Sequence, residues 1–298
     1  MQLPKSRPTF VYKYGSAARV AQIIRDLTFF FAPAAGQNDL YEFRARSLFT
    51  EDEDTPFRVT AKGLVAEGSV RNFDEAFQMV KMLDAQDVRA SAEFVMRQVN
   101  DELARAKAHS GLTCFSTHSN NQRMWGTYGD NHAGALVQFS ADKTRSQFAS
   151  HLSPVIYTAT KLPFCPSHLV NEQLEVDPLM MAAAFCVKSI DWRDEHEWRL
   201  LLLADTEQST EARIVAFERK AIARVILGPR ISPENERTIR EAAARHAPEI
   251  PVLKRRIHPE LAYEELVGFE QIHDFEQFRY WFDRLSAARP PRDSDPAS

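Results

Sequence analysis

The chain has 298 residues, 44% of them hydrophobic and 26% charged, which is enough for a sizeable core and rules out wholesale disorder. A formal net charge of −4 gives no global electrostatic case for nucleic-acid binding. The three cysteines, Cys114, Cys165 and Cys186, lie far apart in apolar surroundings, and no apolar run reaches membrane-spanning length.

With no signal-peptide segment either, a reduced, cytoplasmic protein is expected. Thr9-Phe10-Val11-Tyr12-Lys13-Tyr14 alternates and is rich in β-formers, so it reads as a first strand. Ser16 caps a helix through Ile24, and Thr28 to Phe31 is a short buried strand stopped by Ala32-Pro33. Gly36 to Asp39 reads as a turn, with Asn38 or Asp39 capping a short helix that carries Tyr41, Glu42 and Arg44. Glu51 to Thr55 is an acidic loop, and little before Asn72 has a firm period. Asn72-Phe73-Asp74-Glu75 matches a capping box and opens a helix through Leu83. A longer helix runs from Asp87 to His109, with Phe94, Val95, Val99 and Leu103 at helical spacing. The pair forms a helical insertion over about 72–110.

Leu112 to Ser116 is the next strand, and Asn120 to Asp130 is a short helix or ordered loop holding Met124, Trp125 and Tyr128. Ala135 to Phe139 and Val155 to Tyr157 read as strands, and a short helix is capped near Ser140. Leu179 to Lys188 is an apolar helix leading into the charged run Asp191 to Arg199, which feeds Leu200 to Leu203. Further strands are expected at Ala212 to Phe217, Ala223 to Leu227 and Pro251 to Leu253, with an amphipathic helix at Ser232 to His246. A last helix spans Asp274 to Leu285. The pattern is α+β, a mostly antiparallel sheet decorated by helices, in a single domain over 1–289 with a disordered tail over 290–298.

Three stretches bring polar side chains to strand ends. In Tyr12-Lys13-Tyr14 the two tyrosines share a face suited to stacking a flat ring, while Lys13 points elsewhere unless the strand is bulged. The plain alternative is an edge strand with half-buried tyrosines. In Phe115-Ser116-Thr117-His118-Ser119, hydroxyls at a strand end can fix a glutamate or a ribose, and Trp125 or Tyr128 can wall an aromatic ligand. Otherwise Ser119 or Asn120 caps a helix and Trp125 is core. If a strand begins near Glu195, then Glu195, Glu197 and Arg199 share one face and His196 and Trp198 the other. That arrangement serves either as a paired carboxylate over a cleft or as a rim ion pair neutralised by Arg199.

The histidines lack a metal-ligand spacing, so no metal is expected, and no nucleophile elbow is present. Leu253-Lys254-Arg255-Arg256 is a short basic run that reads as a solvated strand edge, with contact to phosphate as the alternative.

Together these residues resemble a bacterial family known as domain of unknown function 2971. The likeness rests on Tyr12-Lys13-Tyr14, Phe31-Ala32-Pro33, Asn38-Asp39, Glu42, Cys114-Phe115-Ser116, Met124-Trp125 and Tyr128. It continues through Gly134, Val155-Ile156-Tyr157, Lys188, Trp192 and Glu195-x-Glu197-Trp198-Arg199. The order of parts is also similar to that of NAD-dependent ADP-ribosyltransferases. Those are built on a split antiparallel sheet with an aromatic-flanked Arg or His, a Ser-Thr-Ser or Tyr element, and a late Glu-x-Glu.

That second resemblance implies a split sheet, NAD as substrate, and transfer of ADP-ribose to a protein or nucleic-acid acceptor, in a toxin or anti-phage effector with a neutralising partner. It implies Glu197 as the stabiliser of the ribosyl cation and Glu195 as the group that positions or deprotonates the acceptor. Ser116 and Thr117 would form the middle element, with Ser116 holding Glu197. Tyr12 or Tyr128 would stack on nicotinamide, Tyr14 and Trp125 would also belong to the NAD-binding set, and Lys13 would meet ribose or phosphate. Lys13 departs from the usual Arg or His and cannot make a planar bidentate contact. The alternatives are a nucleotide- or peptide-binding module without chemistry, and a metal-dependent nuclease using Asp39, Glu42 and the late glutamates.

Overall fold

Strand β1 (Phe10–Gly15) runs through the middle of the main sheet in the computed structural model, which describes residues 6–37, 53–159, 184–257 and 264–267. Its alternation sends Val11 into the principal core and Tyr12 and Tyr14 to the opposite face, where they meet Met124, Trp125, Leu136 and Ile226. Ser16 accepts a hydrogen bond from the Arg19 amide and starts α1 (Ala17–Asp26), which packs Val20, Ile23 and Ile24 against the core face.

The expected α+β class holds, with a mostly antiparallel sheet. The order is β13 (Glu264–Val267), β12 (Val252–Ile257), β11 (Ile222–Leu227), β5 (Ala135–Ser140), β1, β4 (Gly111–Ser116), β9 (Glu197–Leu202), β6 (Ser153–Pro154). Within it only the β11–β12 pair is parallel among the described residues. Two small two-stranded sheets flank it: β2 (Thr28–Phe30) with β10 (Ile214–Ala216), and β7 (Ile156–Thr158) with β8 (Val187–Ser189). Phe29 anchors the main core. Its ring stacks on Phe217 at 4.3 Å between centroids and meets Phe115, Phe139 and Phe148 edge-on.

Several expectations need correction. A helix α2 (Thr55–Ala66) precedes the two predicted ones, α3 (Phe73–Lys81) and α4 (Ala85–His109), so the helical insertion begins before Asn72. Pro56 opens α2 at its first turn, and Val59 and Ala61, two residues apart and so on different sides of the helix, are both buried, which leaves no single apolar face to announce a period. On α4 the buried side chains include Val88, Ala92 and Leu103, whereas Phe94 is 56% exposed. Ala32-Pro33 does not simply stop a strand; it forms a two-residue strand β3 that pairs with Leu112 and Gly111 of β4. Pro33 is tolerated because the pairing is at a strand terminus. Lys188 lies in β8 and not in a helix. Asp191 to Glu195 belongs to a 3-10 segment, Ile190–Glu195, closed by His196 in the left-handed region (φ 46°), so β9 begins at Glu197. After Ser140 the chain makes a turn and a 3-10 segment at Gln147–His151.

β6 and β13 have no counterpart in the sequence reading, and β12 runs on to Ile257 instead of ending at Leu253. α5 (Gln122–Thr127) is capped by Asn121 in place of Ser119 or Asn120, and α6 (Pro233–His246) is capped by Ser232. The predicted helices near Tyr41 and over Asp274 to Leu285, most of the Leu179 helix, Cys165 and the tail lie outside the described residues. No described helix is long and apolar enough to cross a membrane.

Gly134 sits where three backbones meet. Its amide donates to the Gly129 carbonyl and its own carbonyl accepts from Gly228, each at 2.9 Å, and a methyl group there would collide with the Gly15 carbonyl. Replacing Gly134 with Ala is expected to cost about 1–3 kcal/mol. Urea denaturation should show a lower midpoint with an unchanged slope.

Candidate functional site

The edge of β4 that faces β1 is shared between two strands. Tyr12 pairs with Ser116 at one end, and Ala32 and Pro33 pair with Leu112 and Gly111 at the other. By contrast β1 pairs with β5, and β4 with β9, over six register positions each. Between Ser116 and Leu112 the β1–β4 ladder is therefore parted. Lys13 reaches across this gap, donating from Nζ to the Cys114 carbonyl at 3.0 Å, with the ammonium 5.2 Å from the Phe115 ring centre. A cavity of about 260 Å³ occupies the gap and is lined from both faces of the sheet. Tyr12, Tyr14, Cys114, Tyr128, Lys188, Glu195 and Glu197 line it from one face, and Lys13, Arg19, Phe30 and Thr113 from the other.

The carboxylate end of this cavity is built by two local events. Glu197 opens β9 opposite Ser116, so strand alternation places Glu197 and Arg199 on the Tyr12 face. Glu195 arrives there through the left-handed His196, which reverses the chain after the 3-10 segment, and not through strand alternation. Lys188 of β8 donates to Glu195 at 2.7 Å and to Glu197 at 3.0 Å. Arg199 grips Glu197 with Nε at 2.7 Å and a terminal nitrogen at 3.1 Å, and donates at 2.6 Å to the Phe185 carbonyl. Tyr128 donates to the other Glu195 oxygen at 2.8 Å, and the Glu197 amide donates to the Tyr157 hydroxyl at 2.8 Å.

All four charged groups are buried; Glu197 is 5% and Arg199 0% exposed. Burial by itself would push Glu197 up. The Arg199 and Lys188 charges, with hydrogen bonds from Arg199 and Cys114, outweigh it and hold the carboxyl at about 2. The Cys114 thiol is pushed well up by burial and by the Glu197 charge, so it stays a neutral donor. The Trp192 ring lies under both Lys188, at 4.8 Å, and Arg123, at 5.1 Å.

Of the residues singled out from sequence, Tyr12, Lys13, Tyr14, Tyr128, Glu195 and Glu197 come together on one cavity. Lys13 does point away from the tyrosines, yet the parted ladder lets it line the same space. Tyr14 is also tied into the fold, donating to the His118 carbonyl at 2.6 Å. Trp125 is fully buried and is not among the cavity-lining residues. Its indole donates to the Ser119 carbonyl at 2.9 Å while Arg255 covers its ring, so it is core. Ser116 is fully buried and its hydroxyl accepts from the His118 amide; Glu197 is held by Arg199 and Lys188 instead.

Thr117 lines a second cavity of about 470 Å³ beside His196, Tyr157 and Trp198, which also reaches Glu197. Lys188, Tyr157, Cys114, Thr113 and Arg19 join the constellation through contacts between distant elements, which the period of each strand or helix alone does not fix. Among the described residues no group of three or more His, Cys, Asp or Glu side chains is placed to hold a metal ion, and Asp39 and Glu42 lie outside them.

The folded-state value of Glu197 lies below the 4.5 of an unperturbed glutamate. Its contribution to stability is therefore complete above about pH 4.5 and is lost as the pH falls toward 2. Replacing Arg199 with Met leaves Glu197 short of its main counter-charge, and the expected loss at neutral pH is about 3–5 kcal/mol. Denaturation curves across pH should show the gap between variant and wild type narrowing below pH 4.5.

No curated protein and no solved structure matches the chain. Residues 124–200 match the family described as "Protein of unknown function (DUF2971)". The matched segment runs from Met124 to Leu200, and so includes Tyr128, Tyr157, Lys188, Glu195, Glu197 and Arg199. Over this segment, which carries the whole ion cluster, the chain is similar to the DUF2971 family.

Proposed function

We propose that the cavity binds NAD and that the protein is an ADP-ribosyltransferase-like enzyme acting on a macromolecular acceptor. One observation supports this above the others. Tyr12, Ser116 and Glu197 are cross-strand partners on three adjacent strands, and the sheet opens beside them into a cavity lined by tyrosines and two carboxylates. An aromatic ring, a cationic sugar and a buried carboxylate can then meet in one place.

In that reaction the bond between nicotinamide nitrogen and ribose C1′ breaks with its electron pair leaving on nicotinamide. The ribosyl group becomes cation-like, and an acceptor nucleophile attacks C1′ and gives up its proton. Glu197, ionised at any physiological pH, faces the developing positive charge. Glu195, oriented by Tyr128 and Lys188, receives the acceptor's proton or hydrogen-bonds the incoming group. Tyr12 and Tyr128 supply the aromatic walls. The second cavity also reaches Glu197, which gives the acceptor a separate approach to the same carboxylate.

One observation favours the runner-up, a nucleotide- or peptide-binding module without chemistry. Arg199 and Lys188 already donate three hydrogen bonds to Glu197, which dilutes its charge toward a ligand. Nicotinamide release from NAD, followed by chromatography, separates the two. Glu197→Gln is expected to lower turnover by about 10²–10³-fold, the scale of a lost electrostatic stabiliser. Because Glu197 also anchors Arg199, folding of the variant is checked by circular dichroism, and Tyr128→Phe serves as a milder companion that should lower turnover while keeping the ion pairs. A folded Glu197→Gln protein with full activity would sink the transferase reading. NAD that raises Tm without releasing nicotinamide in the wild type would leave the binding module.

A further inference from the structure

Two features of the cavity's α1-side end are left unused by the chemistry above. The first is charge. Lys188 and Arg199 are matched by Glu195 and Glu197, whereas Lys13 and Arg19 have no carboxylate within ion-pair distance among the described residues. Lys13 spends one proton on the Cys114 carbonyl, and Arg19 spends one nitrogen on the Gln22 side chain while its guanidinium lies 5.4 Å from the Phe30 ring centre. Both cations are half-buried, and partly desolvated cations with no carboxylate beside them favour an anionic ligand.

The second feature is a hydroxyl. Thr113 lines the same end and is 1% exposed, and its Oγ1 is the one buried side-chain polar atom among the described residues with no hydrogen-bond partner. A buried hydroxyl without a partner is costly, and its retention points to a bound acceptor. Alternation along β4 puts Thr113 on the same face as Phe115, whose ring lies beside Lys13. That face carries α1, so the two cations and the hydroxyl converge on the side of the sheet opposite the glutamates.

We propose that Lys13, Arg19 and Thr113 form the seat of a diphosphate, so that the substrate threads the parted ladder with its pyrophosphate on the α1 side and its reacting sugar on the glutamate side. The inference rests on reading this cavity as the dinucleotide's, and it names the residues that select a nucleotide bearing two negative charges over an uncharged nucleoside. Lys13 and Arg19 supply charge-assisted hydrogen bonds to the phosphate oxygens, and the Thr113 hydroxyl donates to one of them. Lysine suits this place as a point charge reaching through a narrow gap, where a planar fork is not required.

Calorimetric titration with ADP-ribose, and with adenosine as the uncharged control, tests the seat. Adenosine should bind at least 100-fold more weakly than ADP-ribose. Thr113→Val keeps the side chain's shape and removes the orphaned hydroxyl. The free variant should have a Tm equal to or above that of wild type, while its affinity for ADP-ribose falls about tenfold. Arg19→Gln should weaken ADP-ribose by at least tenfold and leave adenosine unchanged, and raising the salt concentration should shrink that difference. The seat is overturned if ADP-ribose does not bind, if it binds no better than adenosine, or if both variants keep wild-type affinity. NAD turnover separates this inference from the transferase reading. Arg19-dependent binding of ADP-ribose with no turnover removes the transferase and keeps the seat, whereas turnover with an unmoved KM in both variants does the reverse.

Discussion

Two neighbouring strands that share a single register pair and then separate create a demand that the rest of the site answers. The backbone edge of β4 between Ser116 and Leu112 loses its ladder to β1, and β3 recovers it only at Leu112 and Gly111. A buried carbonyl in such a gap must find another donor or forfeit its hydrogen-bond energy. Lys13 provides that donor at Cys114, and this is why a lysine rather than an apolar residue stands between two tyrosines on an otherwise core-forming strand. The same separation opens a passage through the sheet, so that residues of opposite faces come to line one cavity.

The ion cluster beside the gap is then best seen as a scaffold whose geometry serves the cavity. Ion pairs this deeply buried gain little net stability over a well-packed apolar core, because desolvating each charge costs several kcal/mol. They do fix positions. With Arg199 held at both Glu197 and the Phe185 carbonyl, and Lys188 bridging both glutamates over the Trp192 ring, neither carboxylate can rotate without breaking two contacts. The depressed value of Glu197 keeps it charged under all ordinary conditions. A rigid, permanently ionised carboxylate beside tyrosine rings is suited to facing a positive charge, and Glu195 is held as firmly beside it by Lys188 and Tyr128.

The degree to which the sequence foretells this differs by element. β1, β4, β5, α1 and α6 are legible because their hydrophobic period, caps and breakers agree, as at Ser16, Ser232 and the Gly134–Ala135 junction, whereas α4 is foretold as a helix but not in the face it buries. α2 is not, because its apolar residues do not keep to one face, and the packing of Phe57, Ala61 and Leu64 with residues of the neighbouring helices selects it. The start of β9 is misplaced by two residues because a non-glycine residue in the left-handed region leaves no sequence mark at His196. Trp125 looks like a ligand wall from its neighbours, yet a large aromatic beside a strand end is equally suited to core, and burial decides for core.

The amino-acid sequence by itself determined the α+β class, the strand-borne placement of Tyr12 and Tyr14, and the pairing of Glu197 with Arg199 on one strand face. Those follow from the period of two and from residue chemistry, which are local properties. Only the tertiary structure decided that β1 and β4 part after Tyr12 and Ser116, that Lys188 arrives from a separate small sheet, and that Thr113 and Arg19 meet Lys13. Register between distant strands is fixed by how two faces of a sheet bury simultaneously, and no single stretch of the chain carries that information.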